Sequence, residues 1–251
     1  MCSERLEVKK ICFSKRARSV ILRGVRSMVA VAPPAPALEP IADLTRYWLL
    51  FVARRALRNA MAQRNPGAID LPIGTAERPD DPRLDAPARV FVTWYDRGER
   101  VGCLGSLEPW LSLEQAVARY AVHAGLDPRM PAARASRWHR LIGEISVLGE
   151  AQDLPVTGLD AIAEVLVPNR DGVTLAAGPR QQVVSLPSAW RSSPRPRDFL
   201  VNLMRTAGLS PEHDGPRLRG RTFLAETFLE PIAALTHNPS LTPALELQIG
   251  A

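Results

Sequence analysis

Residues 89–106 read RVFVTWYDRGERVGCLGS, and this stretch decides the fold class. Its first part, 89–95, is β-branched and aromatic on both faces, which is typical of a well-buried strand. Asp96-Arg97-Gly98 predicts a turn into a second strand around 100–106. Antiparallel hairpins with helices between them indicate an α+β fold rather than a doubly wound parallel sheet.

The order of elements around this hairpin occurs twice along the chain. Ser112 and Gln115 fit a capping box at the start of a helix that Gly125 ends, and 141–148 is predicted to be a strand. A second round of two strands, a helix and a strand follows about 80 residues later, at 172–177, 182–186, 196–207 and 222–228. The sequence therefore predicts two β-β-α-β halves that share a mainly antiparallel or mixed sheet, a pattern that suggests internal duplication.

The net charge of the 251-residue chain is +6, and all of this excess comes from residues 1–27. Residues 28–251 carry 24 basic and 24 acidic side chains. This neutral body argues against dedicated nucleic-acid binding, because affinity for a phosphate backbone comes mostly from clustered positive charge. Three interpretations of the basic segment remain open: an arm for nucleic acid or an anionic surface, an organelle presequence, or translated sequence upstream of a native start at Met28.

Composition along the chain predicts the domain boundaries. Residues 1–40 form a basic and then Pro/Ala-rich extension, 41–230 form the α+β domain with an N-terminal helix over Asp43–Arg64, and 231–251 form a C-terminal tail. The longest uninterrupted apolar run covers residues 47–53, about a third of the ~20 residues that a membrane span needs. We therefore expect a cytoplasmic protein with no membrane partner.

The cysteines and histidines do not predict a metal centre. Cys2, Cys12 and Cys103 are isolated, and none of the four histidines shares a metal-binding spacing with another. No phosphate-binding loop, nucleophile elbow or metalloprotease motif is present in the sequence. The sequence thus predicts no metal and no cofactor.

Two short segments are candidate parts of a functional site. Gly102 and Gly105 flank Cys103 at a strand end, where Cys103 is either a nucleophile or thiolate ligand, or a small buried residue beside a bulge. Asp127 and Arg129 follow a helix end in a turn that prolines stiffen, where they either present charge or pair with each other.

Six motifs in order give a family resemblance over about residues 41–63 and 88–229: GCLGSLEP, DPRMP, EISVLG, DGVTLAAG, SLP and FLVNLMRTAGL. Together they resemble the AMMECR domain family, whose bacterial members are called AmmeMemoRadiSam system protein A. The resemblance implies an α+β fold with an internal duplication. It also implies two partners, a Memo-like protein similar to extradiol dioxygenases and a radical SAM protein. It implies no reaction, because the family has no established biochemical activity.

The chain departs from the family pattern at the site. The family has Leu-Arg-Gly-Cys-Ile-Gly where this chain has Val101 in the place of the arginine, and strand alternation predicts that Arg100 points to the opposite face. Of the family's Asp-Pro-Arg-Phe-Pro motif, this chain keeps Asp127 and Arg129. Of the family's Leu-Pro-Gln motif, it keeps Pro187 but has a serine in place of the glutamine. These departures indicate a divergent member that keeps the fold and has drifted in its site.

Two function classes follow, with a third as a weaker alternative. The favoured hypothesis is an accessory component that binds a small molecule or a partner protein in a cleft. Gly102, Cys103 and Gly105 would form the floor of this cleft, the Asp127–Arg129 turn its wall, and Pro187 is a further binding candidate. The second hypothesis is an enzyme with Cys103 as nucleophile or thiol carrier. The third is RNA binding through arginine-rich surface.

Overall fold

The computed structural model describes residues 38–64, 76–127, 140–178 and 181–230. These residues form an α+β fold with two four-stranded antiparallel sheets and an N-terminal helix, which confirms the predicted fold class. They divide into two compact units. The N-terminal extension up to residue 37 and the tail from 231 lie outside the described residues.

The first unit comprises the described residues of Glu39–Leu148 and those from Glu226 on. Its sheet has the strand order β2-β1-β3-β8. Its elements are α1 (Asp43–Arg64), β1 (Pro87–Asp96), β2 (Glu99–Ser112), α2 (Leu113–Gly125), β3 (Ile142–Leu148) and β8 (Ala225–Leu229). The N-terminal helix therefore has the bounds that the sequence predicts.

A tight turn closes the β1–β2 hairpin. Arg97 and Gly98 both have positive φ, 54° and 81°, which is the backbone conformation that matches the right-handed twist of paired strands. Ser112 then ends β2 and caps α2, since its hydroxyl accepts a hydrogen bond from the backbone N–H of Gln115. The hairpin and the capping interaction confirm the local predictions.

Both faces of β1 are buried, as the sequence predicts. Val90, Val92 and Trp94 alternate on the face that packs in one apolar core with α1 and α2. The Trp94 indole donates a hydrogen bond to the carbonyl of Ala121 in α2 at 2.9 Å, which fixes the helix against the sheet. Phe91 and Thr93 occupy the opposite face and are also buried.

A buried ion pair joins α1 to the end of β8. Arg54 donates from Nε to the Glu230 carboxylate at 2.9 Å and a second time from its Nη2, which also donates to the carbonyl of Leu141. The guanidinium lies 5.0 Å from the centre of the Trp94 ring, and the backbone N–H of Gly143 donates to Glu230. These partners satisfy charges that would be costly to bury alone.

The second unit comprises the described residues of Gly149–Ala225. Its sheet has the order β4-β7-β5-β6, and Trp190 stacks on Phe199 at a centroid distance of 3.8 Å in its core. Its elements are β4 (Gln152–Thr157), α3 (Leu159–Val165), β5 (Gly172–Gly178), β6 (Gln181–Ser185), α4 (Pro196–Thr206), α5 (Pro211–Asp214) and β7 (Arg219–Phe223).

The predicted order of strand, strand, helix and strand does occur twice, as β1-β2-α2-β3 and β5-β6-α4-β7. Each round forms a separate sheet, with β8 and β4 added, rather than part of the shared sheet that the sequence predicts. The internal duplication stays a prediction. The prediction of one last strand at 222–228 is wrong, because the chain breaks at Leu224 into β7 and β8, which belong to different sheets. Among the described residues, no helix combines the length and apolar character needed to cross a membrane.

Candidate functional site

Cys103 lies on β2 in the first unit, directly opposite Thr93 of β1. The Thr93 hydroxyl donates a hydrogen bond to the Cys103 sulfur at 3.2 Å. Cys103 is half-buried and is the free cysteine of the described residues, whereas Thr93 is fully buried. The thiol therefore lies in a polar contact on the sheet rather than in an apolar core.

A buried carboxylate continues this row onto the next strand. Thr93 pairs with Glu144 of β3, so Cys103, Thr93 and Glu144 form a row across three strands, which we call the thiol row. Glu144 is 1% exposed, and its Oε1 accepts a hydrogen bond from the Tyr95 hydroxyl at 3.2 Å. The row thus places a thiol, a hydroxyl and a carboxylate on one face of the sheet.

A β-bulge in β2 brings Arg100 to the face of the thiol row. Trp94 pairs with Gly102 but Tyr95 pairs with Arg100, so Val101 is an extra residue without a partner in the ladder. Residues paired across a ladder point to the same face, which places Arg100 with Tyr95 and hence with Cys103. Arg100 does point to the face opposite Val101, as strand alternation predicts. Because of the bulge this is the face of Cys103, where strict alternation along β2 would place Val101 instead.

Val101 and Gly102 face the opposite side of the sheet, towards α2. Val101 packs against the apolar core that α1 and α2 share with the sheet. A Cβ atom at position 102 would overlap the carbonyl oxygen of Ala124 in α2, so only glycine permits this approach of helix and strand. At Gly105 a Cβ would overlap the Phe91 side chain and the neighbouring backbone of β1. The spaces that these two glycines leave are therefore filled by the fold itself.

The protonation of Cys103 is governed by its burial. Burial raises the pKa of the Cys103 thiol, and the nearby Glu144 carboxylate adds to this effect. The Thr93 hydrogen bond and the positive charge of Arg100 act in the opposite direction but are smaller than the burial effect. The thiol is thus neutral at pH 7, unlike the activated cysteines of thiol enzymes, whose pKa is lowered.

The remaining candidates lie elsewhere. Asp127 is buried and comes two residues after the end of α2, the helix that Gly102 approaches. Cys103 faces the other side of the sheet. Arg129 lies outside the described residues. Pro187 begins a 3₁₀ turn in the second unit. The described residues of the first unit therefore bring Cys103 together with Thr93, Glu144, Tyr95 and Arg100 rather than with the Asp127 turn.

Sequence reasoning missed Thr93, Tyr95 and Glu144. The alternation within 89–95 predicts that Thr93 and Tyr95 share a face, but only the pairing register shows that Cys103 and Glu144 lie beside them. Among the described residues, no group of three or more His, Cys, Asp or Glu side chains is arranged to hold a metal ion.

The fold and the site define a class of protein: an α+β domain built from two antiparallel sheets, with a thiol-centred polar row on the first. The chain belongs to the AMMECR1 family, whose profile matches residues 50–228. This match confirms the resemblance drawn from the sequence motifs.

Relatives in three archaea are 27% to 29% identical to this chain over the residues that align. A protein of Thermofilum pendens is 27% identical over 72% of this chain and 88% of its own length. A protein of Methanosarcina acetivorans is 29% identical over 49% of this chain and 62% of its own length, so the match leaves more than a third of that relative uncovered. A protein of Methanothermobacter thermautotrophicus is 29% identical over 56% of this chain and 74% of its own length.

The crystal structure of the uncharacterized protein PH0010 from Pyrococcus horikoshii has a similar fold. Its TM-score is 0.61 at 24% sequence identity, with 73% of this chain and 90% of that chain covered. The likeness concerns the fold alone. These relatives are archaeal, whereas the sequence resemblance implies a bacterial member, so the more specific AmmeMemoRadiSam assignment stays a prediction.

Proposed function

We propose that the chain is a cytoplasmic accessory component that binds a small molecule or a partner protein beside the thiol row. In keeping with the sequence resemblance, it would act with a Memo-like protein and a radical SAM protein, as AmmeMemoRadiSam system protein A. The observation that carries the proposal is the environment of Cys103, whose neutral thiol receives a hydrogen bond from Thr93.

This environment favours binding over nucleophilic catalysis. A cysteine nucleophile reacts as the thiolate, which enzymes stabilise with a low pKa or an adjacent base. At Cys103 the burial effect outweighs the charge of Arg100, and the neighbouring carboxylate of Glu144 disfavours the thiolate. Thr93 and Glu144 are almost completely buried, so a polar ligand would hydrogen-bond at the less buried Cys103 and Arg100.

Exposed aromatic and aliphatic residues on the first unit support a protein partner. Trp110 is 72% exposed on β2, the strand that carries Cys103, and Leu44 and Tyr47 are 75% and 53% exposed on α1. Single exposed apolar residues are common on protein surfaces, but aromatic residues are enriched at the centres of protein interfaces. Trp110 is therefore the first residue to test for partner binding.

Copurification tests the proposal. The full chain would be coexpressed with the Memo-like and radical SAM proteins of the same genome and analysed by size-exclusion chromatography with light scattering. We expect coelution with at least one partner, weakened in Trp110→Ala and retained in Val167→Ala, which truncates an exposed apolar residue of the second unit. Separate elution of all three proteins, together with turnover of a metabolite by the purified chain alone, would contradict the proposal.

An enzyme with Cys103 as nucleophile or thiol carrier is the second candidate. The position of Arg100 on the thiol row favours it, because a guanidinium stabilises a developing thiolate. Its test is Cys103→Ser in any assay that the partners provide. Loss of turnover with retained partner binding would support the enzyme, and full turnover would rule it out.

A further inference from the structure

The bulge in β2 places Arg100 on the face of Cys103 and Val101 on the face of α2, the reverse of what strict alternation from Cys103 would give. Because Val101 and Gly102 both face α2, Arg100 and Cys103 emerge together on the opposite face, although three positions separate them along a strand. Arg100 and Cys103 are both half-buried, whereas Thr93 and Glu144 are almost completely buried. The less buried end of the row is therefore the end at which Arg100 and Cys103 lie.

We propose that Arg100 is the ligand-orienting residue of this site and that the small molecule bound beside Cys103 carries a carboxylate. This inference rests on the proposed binding function and specifies the ligand class for the same site. Val101 cannot supply the charge, because it packs into the core on the α2 side. The bulge delivers the charge from position 100 instead.

The chemistry of the row selects the kind of anion. A guanidinium binds a carboxylate through two parallel hydrogen bonds, and it does so more strongly where it is partly withdrawn from water. Glu144 lies two strands from Cys103, at roughly 10 Å between backbones, while Arg100 lies on the same strand as Cys103. Glu144 repels either anion, so the two hydrogen bonds to the guanidinium carry the binding, and a carboxylate makes them with a single negative charge.

Two alkylating reagents of nearly equal size, one charged and one neutral, test the inference. Iodoacetate carries a carboxylate and iodoacetamide does not, and with both reagents the thiolate forms an S–C bond and displaces iodide. The rates at Cys103 would be measured in the full folded chain by mass spectrometry of the digested protein, which separates Cys103 from Cys2 and Cys12. The rate with iodoacetate is divided by the rate with iodoacetamide, and this ratio is divided by the same ratio for free glutathione. The normalised ratio reports the attraction of a carboxylate to the site.

The matched variants are Arg100→Gln, Arg100→Lys and Arg97→Gln, the last of which removes the same charge from the exposed turn of the same hairpin. We expect Arg100→Gln to lower the normalised ratio about threefold to tenfold, as one unit charge within a few ångströms does at a partly screened site. Arg100→Lys should keep most of the preference, and Arg97→Gln should leave it unchanged. In the unaltered chain the ratio should fall as sodium chloride is raised, a test that needs no variant to fold.

Three results would overturn the inference: equal effects of Arg100→Gln and Arg97→Gln, a ratio that neither Arg100→Gln nor salt changes, or no reaction of Cys103 with either reagent in the folded chain. The last result would mean that no small carboxylate reaches the thiol. Partner binding is measured separately, so its absence would contradict the proposed accessory role even where the reagent ratio depends on Arg100. An unchanged ratio with normal partner binding would contradict the role of Arg100 alone.

Discussion

Gly102 of β2 lies so close to Ala124 of α2 that the carbonyl oxygen of Ala124 occupies the space of a Cβ atom. The contact holds the helix against the strand at the point where β2 bulges. A glycine beside a cysteine therefore has a packing explanation here, and it does not by itself indicate a ligand approaching the backbone.

Gly102→Ala should destabilise the chain by about 1–3 kcal/mol, because the backbone of α2 must move to admit the methyl group. The free energy of unfolding would be measured by urea denaturation with and without the substitution. Gly215→Ala is the matched control, since a Cβ there makes only ordinary van der Waals contact with Leu159. Equal stability of Gly102→Ala and the unaltered chain would show that helix and strand are farther apart than the structure places them.

Val101→Arg should not restore a family-like site in this chain. It introduces the arginine found in the family pattern, but position 101 faces the core beside α2, so we expect a loss of about 1–2 kcal/mol. Val101→Met, which is long but apolar, should cost less. A melting temperature for Val101→Arg at or above that of the unaltered chain would contradict the bulge and its assignment of faces.

Breaking the buried Arg54–Glu230 pair should lower the free energy of unfolding more than breaking an exposed ion pair of the chain. Arg54→Met leaves the buried Glu230 carboxylate without its main partner and is expected to cost about 3–5 kcal/mol, while the double change Arg54→Met/Glu230→Gln should cost less than the sum of the single changes. Breaking the exposed Arg197–Asp160 pair with Asp160→Asn should cost less than about 1 kcal/mol. Additive losses at Arg54 and Glu230 in urea denaturation would argue against the pair.

Asp81 should contribute to the loss of folding stability at acid pH. Hydrogen bonds from Arg83, first of all, and from Thr45 lower the pKa of the Asp81 carboxyl far below its usual value. The folded state thus binds its proton less readily than the unfolded chain, so this stabilisation is complete above about pH 4 and is lost as the pH falls below that value. Asp81→Asn should flatten the decline of stability between about pH 4 and pH 2, and Arg83→Gln should have the same effect. An undiminished decline in both variants would contradict the assignment.

The local sequence predicts the elements that local chemistry decides. The bounds of α1, the hairpin turn at Arg97 and Gly98 and the Ser112 cap follow from hydrophobic period, turn preference and capping. The break between β7 and β8 does not, because residues 222–228 are uniformly strand-forming and only pairing with two different sheets separates them.

The site depends on register, which the sequence does not show. The row of Cys103, Thr93 and Glu144 requires the alignment of three strands, and the position of Arg100 requires a bulge that arises where Val101 and Gly102 both pack towards α2. Cys103 itself was identifiable from the glycines beside it, but the hydroxyl and carboxylate that define its chemistry were not.

The central claim is that Cys103 is a protonated member of a binding site rather than an activated nucleophile. Its most direct test is the rate of Cys103 alkylation by iodoacetamide against pH in the full folded chain, followed by mass spectrometry of the Cys103 peptide. We predict a midpoint above the ~8.5 of a free thiol, because burial raises the pKa of the Cys103 thiol. A midpoint well below that value, with fast alkylation at pH 7, would contradict the account and make Cys103 the nucleophile of an enzyme.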